Sequence, residues 1–187
     1  MSRRLIGLIL GAVLALPLAA NAAMWSFGGA LNADQETHPL VLLPPVYFGG
    51  GLLTATLDDV SGAFVLDVLF AGLSGPALDA HLHGPALPGV AAGILVGLGA
   101  PAPLEPGISV YHLAIALAPA SVSMLTSGGT AVVGSPTLVY ANIHTAGNPA
   151  GEIRGQLFVT ASPVPVPPAA WLMGSALLGL LQLRRRV

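Results

Sequence analysis

Hydrophobic and polar side chains alternate with a period of two through the middle of the chain. In residues 63–71, Phe64, Leu66, Val68 and Phe70 occupy every second position, and Asp67 lies between them. This alternation is typical of a strand with one buried face. The same pattern predicts strands over residues 25–32, 46–57, 63–71, 78–83, 94–99, 109–117, 138–145 and 152–160.

Turn-forming residues separate most of these predicted strands. Asp-Asp-Val-Ser-Gly at residues 58–62 connects two alternating stretches and indicates a hairpin. One short helix is predicted over residues 120–127, between Pro119 and Gly128. With 24 glycines and 17 prolines, the chain cannot form a continuous helical protein. The sequence therefore predicts an all-β fold, an antiparallel β-sandwich or barrel.

The first residues have the pattern of a secretory signal peptide. Arg3 and Arg4 precede an apolar run over residues 5–18, and Ala-Asn-Ala follows at residues 20–22. This order predicts a signal helix over residues 1–22 and a cut between Ala22 and Ala23. An uncleaved N-terminal anchor is the alternative, but the apolar run is short for a bilayer span of about 20 residues.

The last residues have the pattern of a membrane anchor. A proline-rich stretch at residues 162–168 predicts an extended spacer, because proline cannot continue a regular helix. Residues 169–187 follow as an apolar segment with Trp171 near its start and three arginines, residues 184–186, near its end. A transmembrane helix is predicted here, with the arginines on the cytoplasmic side.

The junction of spacer and helix resembles the PEP-CTERM sorting signal in its Val-Pro-x-Pro-Ala variant, with one additional proline. The motif residues are Val164, Pro165, Pro167, Pro168 and Ala169. This resemblance implies an exosortase-type processing enzyme as partner, a Gram-negative bacterium as host, and anchoring at or release from the cell surface. An ordinary C-terminal anchor is the alternative. Either alternative leaves the central domain outside the cytoplasm.

The charge of the central domain limits its partners. Residues 23–162 contain eight acidic residues and a single basic residue, Arg154, for a net charge of −7 with neutral histidines. A domain with one cation cannot neutralise a phosphate backbone, which excludes nucleic-acid binding. The chain has no cysteine, so neither a disulfide nor a thiolate metal site can form.

Three segments together resemble the CHRD domain, the repeat of chordin and of many bacterial secreted proteins. They are Leu-Asn-Ala-Asp-Gln-Glu at 31–36, Gly-Leu-Ser-Gly at 72–75 with Ala-His-Leu-His-Gly-Pro-Ala at 80–86, and Tyr-Ala-Asn-Ile-His-Thr at 140–145 with Gly-Glu-Ile-Arg-Gly at 151–155. The resemblance implies a domain over residues 23–161 with an immunoglobulin-like or Cu/Zn superoxide-dismutase-like β-sandwich and no established reaction. Its motif residues include Asn142, Glu152 and Arg154, and for the last two an ion pair or a backbone brace is expected.

Three histidines are candidate metal ligands. His81 and His83 are two residues apart on one predicted strand, so both imidazoles lie on one face, about 6–7 Å apart. If the strand containing His144 passes beside them, three imidazoles converge, a set suited to copper or zinc. A shared metal requires nitrogen separations of about 3–4 Å. Alternatively, each histidine is a half-buried polar group that hydrogen-bonds to backbone or to Glu152. His38 and His112 are weaker candidates.

These observations leave three classes of function. The first is an exported, non-catalytic module of the cell envelope or matrix, with polysaccharide or surface proteins as partners. The second is an extracytoplasmic copper- or zinc-binding protein that uses His81, His83 and His144. The third, a dismutase-like metalloenzyme, has the weakest support, since the sequence contains no nucleophile elbow, paired carboxylates or phosphate-binding loop.

Overall fold

The strands of the central domain are seen in a computed structural model, which describes residues 22–41, 49–99, 101–105 and 108–165. These residues belong to one unit, Ala22–Pro165. The predicted signal segment up to residue 21 and the predicted anchor from residue 166 lie outside the described residues. The elements are β1 (Ala23–Asn32), β2 (Gly50–Asp58), β3 (Ala63–Ala71), β4 (Ala77–His83), β5 (Ile94–Gly97), β6 (Ala102–Glu105), β7 (Ile108–Ala116), α1 (Pro119–Thr126), β8 (Pro136–Thr145) and β9 (Ile153–Pro165).

The strands form one continuous antiparallel sheet. Their order across the sheet is β5-β4-β8-β9-β1-β2-β3-β7-β6. The hairpin of β8 and β9 therefore lies beside β1 on one side and β4 on the other, although β4 is far away in sequence. This order places the two sequence motifs that contain the histidines on neighbouring strands.

A single hydrophobic core accounts for the alternation seen in the sequence. On β3 the four predicted core positions are buried, and the residues between them are half-buried or exposed. The buried cluster also collects side chains from the other half of the sheet, including Leu82, Ile143 and Leu157. Both halves thus pack on one core, so the sheet curls around it. The predicted all-β antiparallel fold is confirmed.

Three elements differ from their predictions by more than two residues. β6 was not predicted, because Pro101 and Pro103 argue against a strand; an edge strand tolerates proline, and β6 is the last strand on its side of the sheet. β9 continues to Pro165, into the predicted spacer, because Val164 and Pro165 pair with Met24 and Ala23 of β1. β2 begins at Gly50, and residues 46–48 of the predicted strand lie outside the described residues.

The helix prediction agrees with the structure to within one residue. α1 begins at Pro119, whose fixed φ suits the first helical turn, and Leu125 near its end is buried in the core. No helix within the described parts of the chain combines the length and hydropathy needed to cross a membrane.

Candidate metal site

Polar side chains occupy the face of β4, β8 and β9 that points away from the hydrophobic core. On β8, residues 139, 141 and 143 are apolar core positions, and the polar residues between them face the other way. Residues directly opposite each other on neighbouring strands lie on the same face of the sheet. The side chains of this face therefore form rows that run across the strands. The rows are His83–Tyr140–Gln156, His81–Asn142–Arg154 and Asp79–His144.

The loop of residues 84–93 covers part of this polar layer. The sequence of residues 84–99 contains no polar side chain, so its backbone supplies the hydrogen-bonding groups. Arg154 Nη2 donates to the carbonyl of Val90 at 2.8 Å, and Gln156 Nε2 donates to the carbonyl of Ala86 at 3.0 Å. Because the layer lies under this loop, both Arg154 and Gln156 are buried although they point away from the core.

His81, His83 and His144 converge at one end of the polar layer. One ring nitrogen from each lies within 4.8 Å of the other two. The closest pair is His81 Nδ1 and His144 Nε2, which are 2.9 Å apart. His83 and His144 are buried, and His81 is half-buried. The predicted convergence of these three residues is therefore present in the structure.

The opposite nitrogen of each ring faces an oxygen atom. His83 Nδ1 lies 3.0 Å from the carbonyl of Ala92, and His144 Nδ1 lies 3.1 Å from the carbonyl of Pro149. His81 Nε2 lies 3.1 Å from Asp79 Oδ2. Carbonyl and carboxylate oxygens attract a ring proton, so we infer that each of these nitrogens bears it. In the neutral rings, the lone pairs of His81 Nδ1, His83 Nε2 and His144 Nε2 are therefore left for another ligand.

These tautomers favour a cation between His81 and His144. In them, the nitrogens that face each other at 2.9 Å both present lone pairs. His83 Nε2 is buried and has no hydrogen-bond partner among the described residues. Burying unpaired nitrogens in this way is unfavourable unless a proton or a metal ion occupies the position they share.

Burial keeps two of the rings neutral. It lowers the pKa of His83 below the usual value, and the neighbouring charges of His81 and Arg154 lower it further. Burial likewise lowers the pKa of His144, with smaller contributions from His81 and His83 in the same direction. A lowered pKa favours neutral imidazole, which is the form that binds metal ions.

A β-bulge brings Asp79 to this cluster. Between Ala77 and Asp79, β4 has one more residue than the opposing segment of β8, so Leu78 bulges out and Asp79 lies opposite His144. Asp79 Oδ1 accepts from the backbone N–H of Ala80 at 2.8 Å, which leaves Oδ2 facing His81. Metal-binding histidines commonly donate their second N–H to such a carboxylate.

An aromatic stack supports His83 from the side. The His83 and Tyr140 rings are nearly parallel, with centroids 5.0 Å apart. The Arg154 guanidinium carbon lies 3.5 Å from the centre of the Tyr140 ring. Because β8 lies between β4 and β9, Tyr140 separates the imidazole from the guanidinium. The backbone N–H of Ala92 donates to the Tyr140 hydroxyl at 3.0 Å, which attaches the covering loop to the stack.

Glu152 connects two loops instead of pairing with Arg154. Its carboxylate accepts hydrogen bonds from the Ser74 hydroxyl, the Thr145 hydroxyl and the Asn148 amide at 2.6, 2.6 and 3.2 Å. Burial opposes ionisation of Glu152, but these hydrogen bonds together hold its pKa below the usual range. Arg154 makes the expected hydrogen bonds to backbone carbonyls, whereas the Glu152 carboxylate accepts from hydroxyl and amide groups.

The other sequence candidates lie apart from the three converging nitrogens. His38 Nε2 contacts the Gly151 carbonyl at 3.1 Å, and its Nδ1 lies 3.6 Å from Glu36 Oε2. His112 pairs with Asp67 at 2.7 Å on the exposed face of β3 and β7. Asn142 Nδ2 donates to the Ala150 carbonyl at 3.3 Å and so fixes the β8–β9 connection. The expected hydrogen bonds from histidine to backbone are present, but none of the three cluster histidines bonds to Glu152.

Sequence reasoning missed Asp79, Tyr140 and Glu36. Asp79 and His81 are two residues apart on a predicted strand, which was a usable signal for a shared face. The position of Tyr140 in the row of His83 follows from the β4–β8 pairing, which the sequence does not reveal. The Glu36 side chain is 2% exposed and lies near Arg154, and burial raises its pKa to about 7 against the attraction of that cation.

Taken together, fold and site define a curled antiparallel β domain that buries a polar layer and three converging imidazoles. The family model of the CHRD domain matches residues 27–157. The chain therefore belongs to the CHRD domain family. No curated protein and no solved structure matches the chain. The matched range contains every residue of the polar layer.

Proposed function

We propose that this CHRD domain is an exported, non-catalytic module that binds one transition-metal ion, copper or zinc, through His81, His83 and His144. The observation that carries the proposal is the convergence of three imidazole nitrogens, of which His81 Nδ1 and His144 Nε2 are 2.9 Å apart. Three imidazole nitrogens without sulfur suit copper and zinc better than calcium or magnesium, which prefer oxygen ligands.

The geometry requires a small adjustment on metal binding. Metal–nitrogen bonds of about 2.0–2.1 Å place neighbouring ligand nitrogens about 3–4 Å apart. The His81–His144 separation of 2.9 Å is below this interval, and the 4.8 Å limit of the cluster is above it. A rearrangement of about 1 Å, within the range of side-chain rotation, brings three nitrogens around one ion.

Acidic charge supports the choice of a cation as ligand. Within residues 23–162, the one basic residue is Arg154, which is buried beneath its loop. Asp79, the carboxylate nearest the cluster, is about half exposed and contacts His81. A domain of net negative charge raises the local concentration of cations and speeds their association.

Elemental analysis of the purified full chain tests metal binding. The chain is incubated with a slight excess of Cu²⁺ or Zn²⁺, passed through a desalting column, and analysed for metal per chain. We expect a single equivalent in the wild type and essentially none in the His81→Ala/His83→Ala/His144→Ala variant. His112→Ala, which changes a histidine outside the cluster, is the matched control and retains the wild-type content. Equal metal content in the triple variant and the wild type would exclude this site.

Electron paramagnetic resonance identifies the ligands independently. Cu²⁺ bound to imidazoles shows splitting from coupled nitrogen nuclei, and the splitting pattern changes with the number of bound rings. We expect the pattern of multiple nitrogen ligands in the wild type and in His112→Ala. A spectrum of hydrated Cu²⁺ in the wild type would contradict the proposal even if some metal is retained.

The export and surface parts of the proposal are based on the two ends of the sequence. The signal-like pattern before Ala23 and the sorting-like motif from Val164 support secretion followed by membrane retention or release. An exosortase-type enzyme is the expected processing partner, and matrix polysaccharide or surface proteins are the expected neighbours. Fractionation of the host into cytoplasm, envelope and medium tests this part, and recovery in the cytoplasm alone would contradict it.

The non-catalytic part is based on the composition of the chain. Cysteine nucleophiles are impossible, and the sequence offers neither a serine nucleophile elbow nor a phosphate-binding loop. A superoxide dismutation assay of the copper-loaded protein distinguishes the dismutase-like alternative. We expect no more activity than in the copper-treated triple variant.

A further inference from the structure

The start of β1 coincides with the cut that the signal pattern predicts. Ala-Asn-Ala at residues 20–22 predicts cleavage before Ala23, and β1 begins at Ala23. Ala23 already pairs with Pro165 of β9, and Met24 pairs with Asp58 of β2. Cleavage at this bond would therefore leave the first residue of the mature chain inside the sheet.

Asp59 contacts the nitrogen that this cleavage would release. The backbone nitrogen of Ala23 donates to Asp59 Oδ1 at 2.8 Å, and the backbone nitrogen of Asp59 donates back to the Ala23 carbonyl at 3.2 Å. The second carboxylate oxygen, Oδ2, accepts from the indole nitrogen of Trp25 at 3.2 Å. Trp25 is fully buried, so its indole fixes the orientation of the carboxylate.

The neighbouring Asp58 makes hydrogen bonds within the β2–β3 turn instead. Its Oδ1 accepts from the backbone nitrogens of Val60 and Ser61 at 3.0 and 2.8 Å and so closes the β2–β3 turn. The turn therefore does not depend on the carboxylate of Asp59, which points at the first residues of β1. Asp59 is therefore not needed to close its own turn. Both of its carboxylate oxygens instead accept hydrogen bonds from the first residues of β1, which indicates a specific role at that end of the strand.

We propose that Asp59 receives the α-ammonium group of Ala23 that forms when the bond between Ala22 and Ala23 is hydrolysed. A signal-peptidase-class enzyme adds water across this amide. The C–N bond breaks, the hydroxyl group goes to the Ala22 carbonyl carbon to give a carboxylate, and Ala23 nitrogen leaves as the protonated amine. The existing hydrogen bond at 2.8 Å then becomes an ion pair without movement of either residue.

Such an ion pair would hold the first residue of β1 in place. The existing bond to the carboxylate is already charge-assisted, and a positive charge on the donor adds a direct Coulomb attraction to it. The ammonium would be the second cation of a domain that contains one basic residue between residues 23 and 162. Signal removal would therefore complete the fold at its N-terminal strand. This inference rests on the export half of the proposed function and is independent of metal binding.

Mass spectrometry of the processed protein is the first test. The full chain is expressed with its own signal in a Gram-negative host, and the protein recovered from envelope or medium is analysed intact and after digestion. An N-terminus at Ala23 supports the inference. A start at any other residue overturns it, and retention of Met1 would count against the export proposal as well.

Amine acylation of the same protein is the second test. The chain has no lysine, so the α-amino group is the one primary amine that an activated ester can modify. Pairing with a carboxylate raises an amine pKa, and each unit lowers the reactive fraction about tenfold near neutral pH. We expect Ala23 to react about tenfold more slowly than the amine of a free Ala-Met-Trp-Ser peptide.

Substitution of Asp59 assigns the protection to its carboxylate. We expect Asp59→Asn to restore acylation to about the rate of the peptide, whereas Asp34→Asn, an exposed change elsewhere on the domain, leaves the amine protected. If Asp59→Asn does not fold, comparing the acylation rates of the wild-type protein and the peptide still tests the ion pair. Equal rates for those two would show that no ion pair forms.

Discussion

At the scale of single residues, Asp79 favours the His81 tautomer whose Nδ1 faces the candidate metal site. Its Oδ1 accepts from the Ala80 N–H at 2.8 Å, and its Oδ2 lies 3.1 Å from His81 Nε2. An asparagine at this position has only one accepting atom, so it cannot both accept from Ala80 and present an oxygen to His81. The His81 tautomer with Nδ1 available for metal is then no longer enforced.

We therefore predict that Asp79→Asn weakens Cu²⁺ or Zn²⁺ binding by about 10–100-fold, the usual effect of losing such a partner. Competition with a chromophoric chelator measures the change, and ¹⁵N-resolved NMR of the imidazoles reports the tautomer of His81 in the metal-free protein. Asp67→Asn makes the same substitution in the exposed pair with His112 and keeps the wild-type affinity. Unchanged affinity and tautomer in Asp79→Asn would contradict this role.

The raised pKa of Glu36 predicts that the stability of the domain depends on pH. Burial raises its pKa from 4.5 to about 7, in opposition to the neighbouring Arg154. Between these values the folded state binds more protons than the unfolded state, so the free energy of unfolding decreases as pH rises. The stabilising effect of the protonated carboxyl is complete below the unfolded pKa and is lost as pH rises through the folded pKa.

Glu36→Gln removes this titration. We expect the free energy of unfolding of Glu36→Gln, relative to wild type, to increase by on the order of 2 kcal/mol between about pH 5 and about pH 8. Urea unfolding at several pH values measures the difference. Asp34→Asn, on the same segment just after the end of β1, serves as the control for loss of a surface charge. A pH-independent difference for Glu36→Gln would show that Glu36 is not protonated in the folded state.

At the scale of elements, the β2–β3 hairpin depends on one glycine. Gly62 has a φ of 73°, and a Cβ there would lie 2.6 Å from the carbonyl oxygen of Leu117. The backbone of Gly62 also makes two hydrogen bonds. Its nitrogen donates to the Asp58 carbonyl, and its carbonyl accepts from the Leu117 nitrogen. The turn therefore cannot move away from an added methyl group without losing these contacts.

We expect Gly62→Ala to destabilise the domain by about 2–3 kcal/mol, the sum of left-handed strain and the contact with Leu117. Gly89→Ala is the matched control, because Gly89 has a φ of 79° but no described atom within 4 Å of the position that an added Cβ would take. Its cost should be about 1 kcal/mol, from backbone strain alone. Equal costs for both variants in urea unfolding would show that contact with Leu117 is unimportant.

The sequence pattern predicted a strand correctly where each of its two faces keeps the same environment over its whole length. β3 matches its prediction at both ends because one face is buried and the other meets solvent throughout. β8 was predicted less completely, since it is buried on both faces from residue 139 to residue 145 and its polar positions are also covered. β6 depends on its place at the sheet edge, which no local pattern contains.

The candidate site was predictable only in part for the same reason. That His81 and His83 share a face follows from the geometry of a strand. Their approach to His144 depends on the pairing of β4 with β8, between residues 63 positions apart. The role of Asp79 depends on a bulge at Leu78, and the tautomers depend on carbonyls of two loops. These are tertiary features that the sequence does not reveal, although the shared face of Asp79 and His81 does follow from their spacing.

At the scale of the whole molecule, a metal ion at this site would connect parts that are remote in sequence. Its ligands come from β4 and β8, and their second hydrogen bonds reach the loop before β5 and the connection after β8. The unfolded chain does not hold these groups together, so the ion binds the folded state selectively. Selective binding stabilises the folded state by RT ln(1 + [L]/Kd).

We accordingly predict that Zn²⁺ at a free concentration of about 100 times its Kd raises the free energy of unfolding by about 2.7 kcal/mol. The Kd is taken from chelator competition, so the size of the shift is fixed before urea unfolding is measured. His112→Ala should show the full shift and the variant lacking all three cluster histidines should show none. A full shift in that variant would place the metal elsewhere on the acidic surface, whereas a shift well below the predicted size would mean that the unfolded chain binds the ion as well.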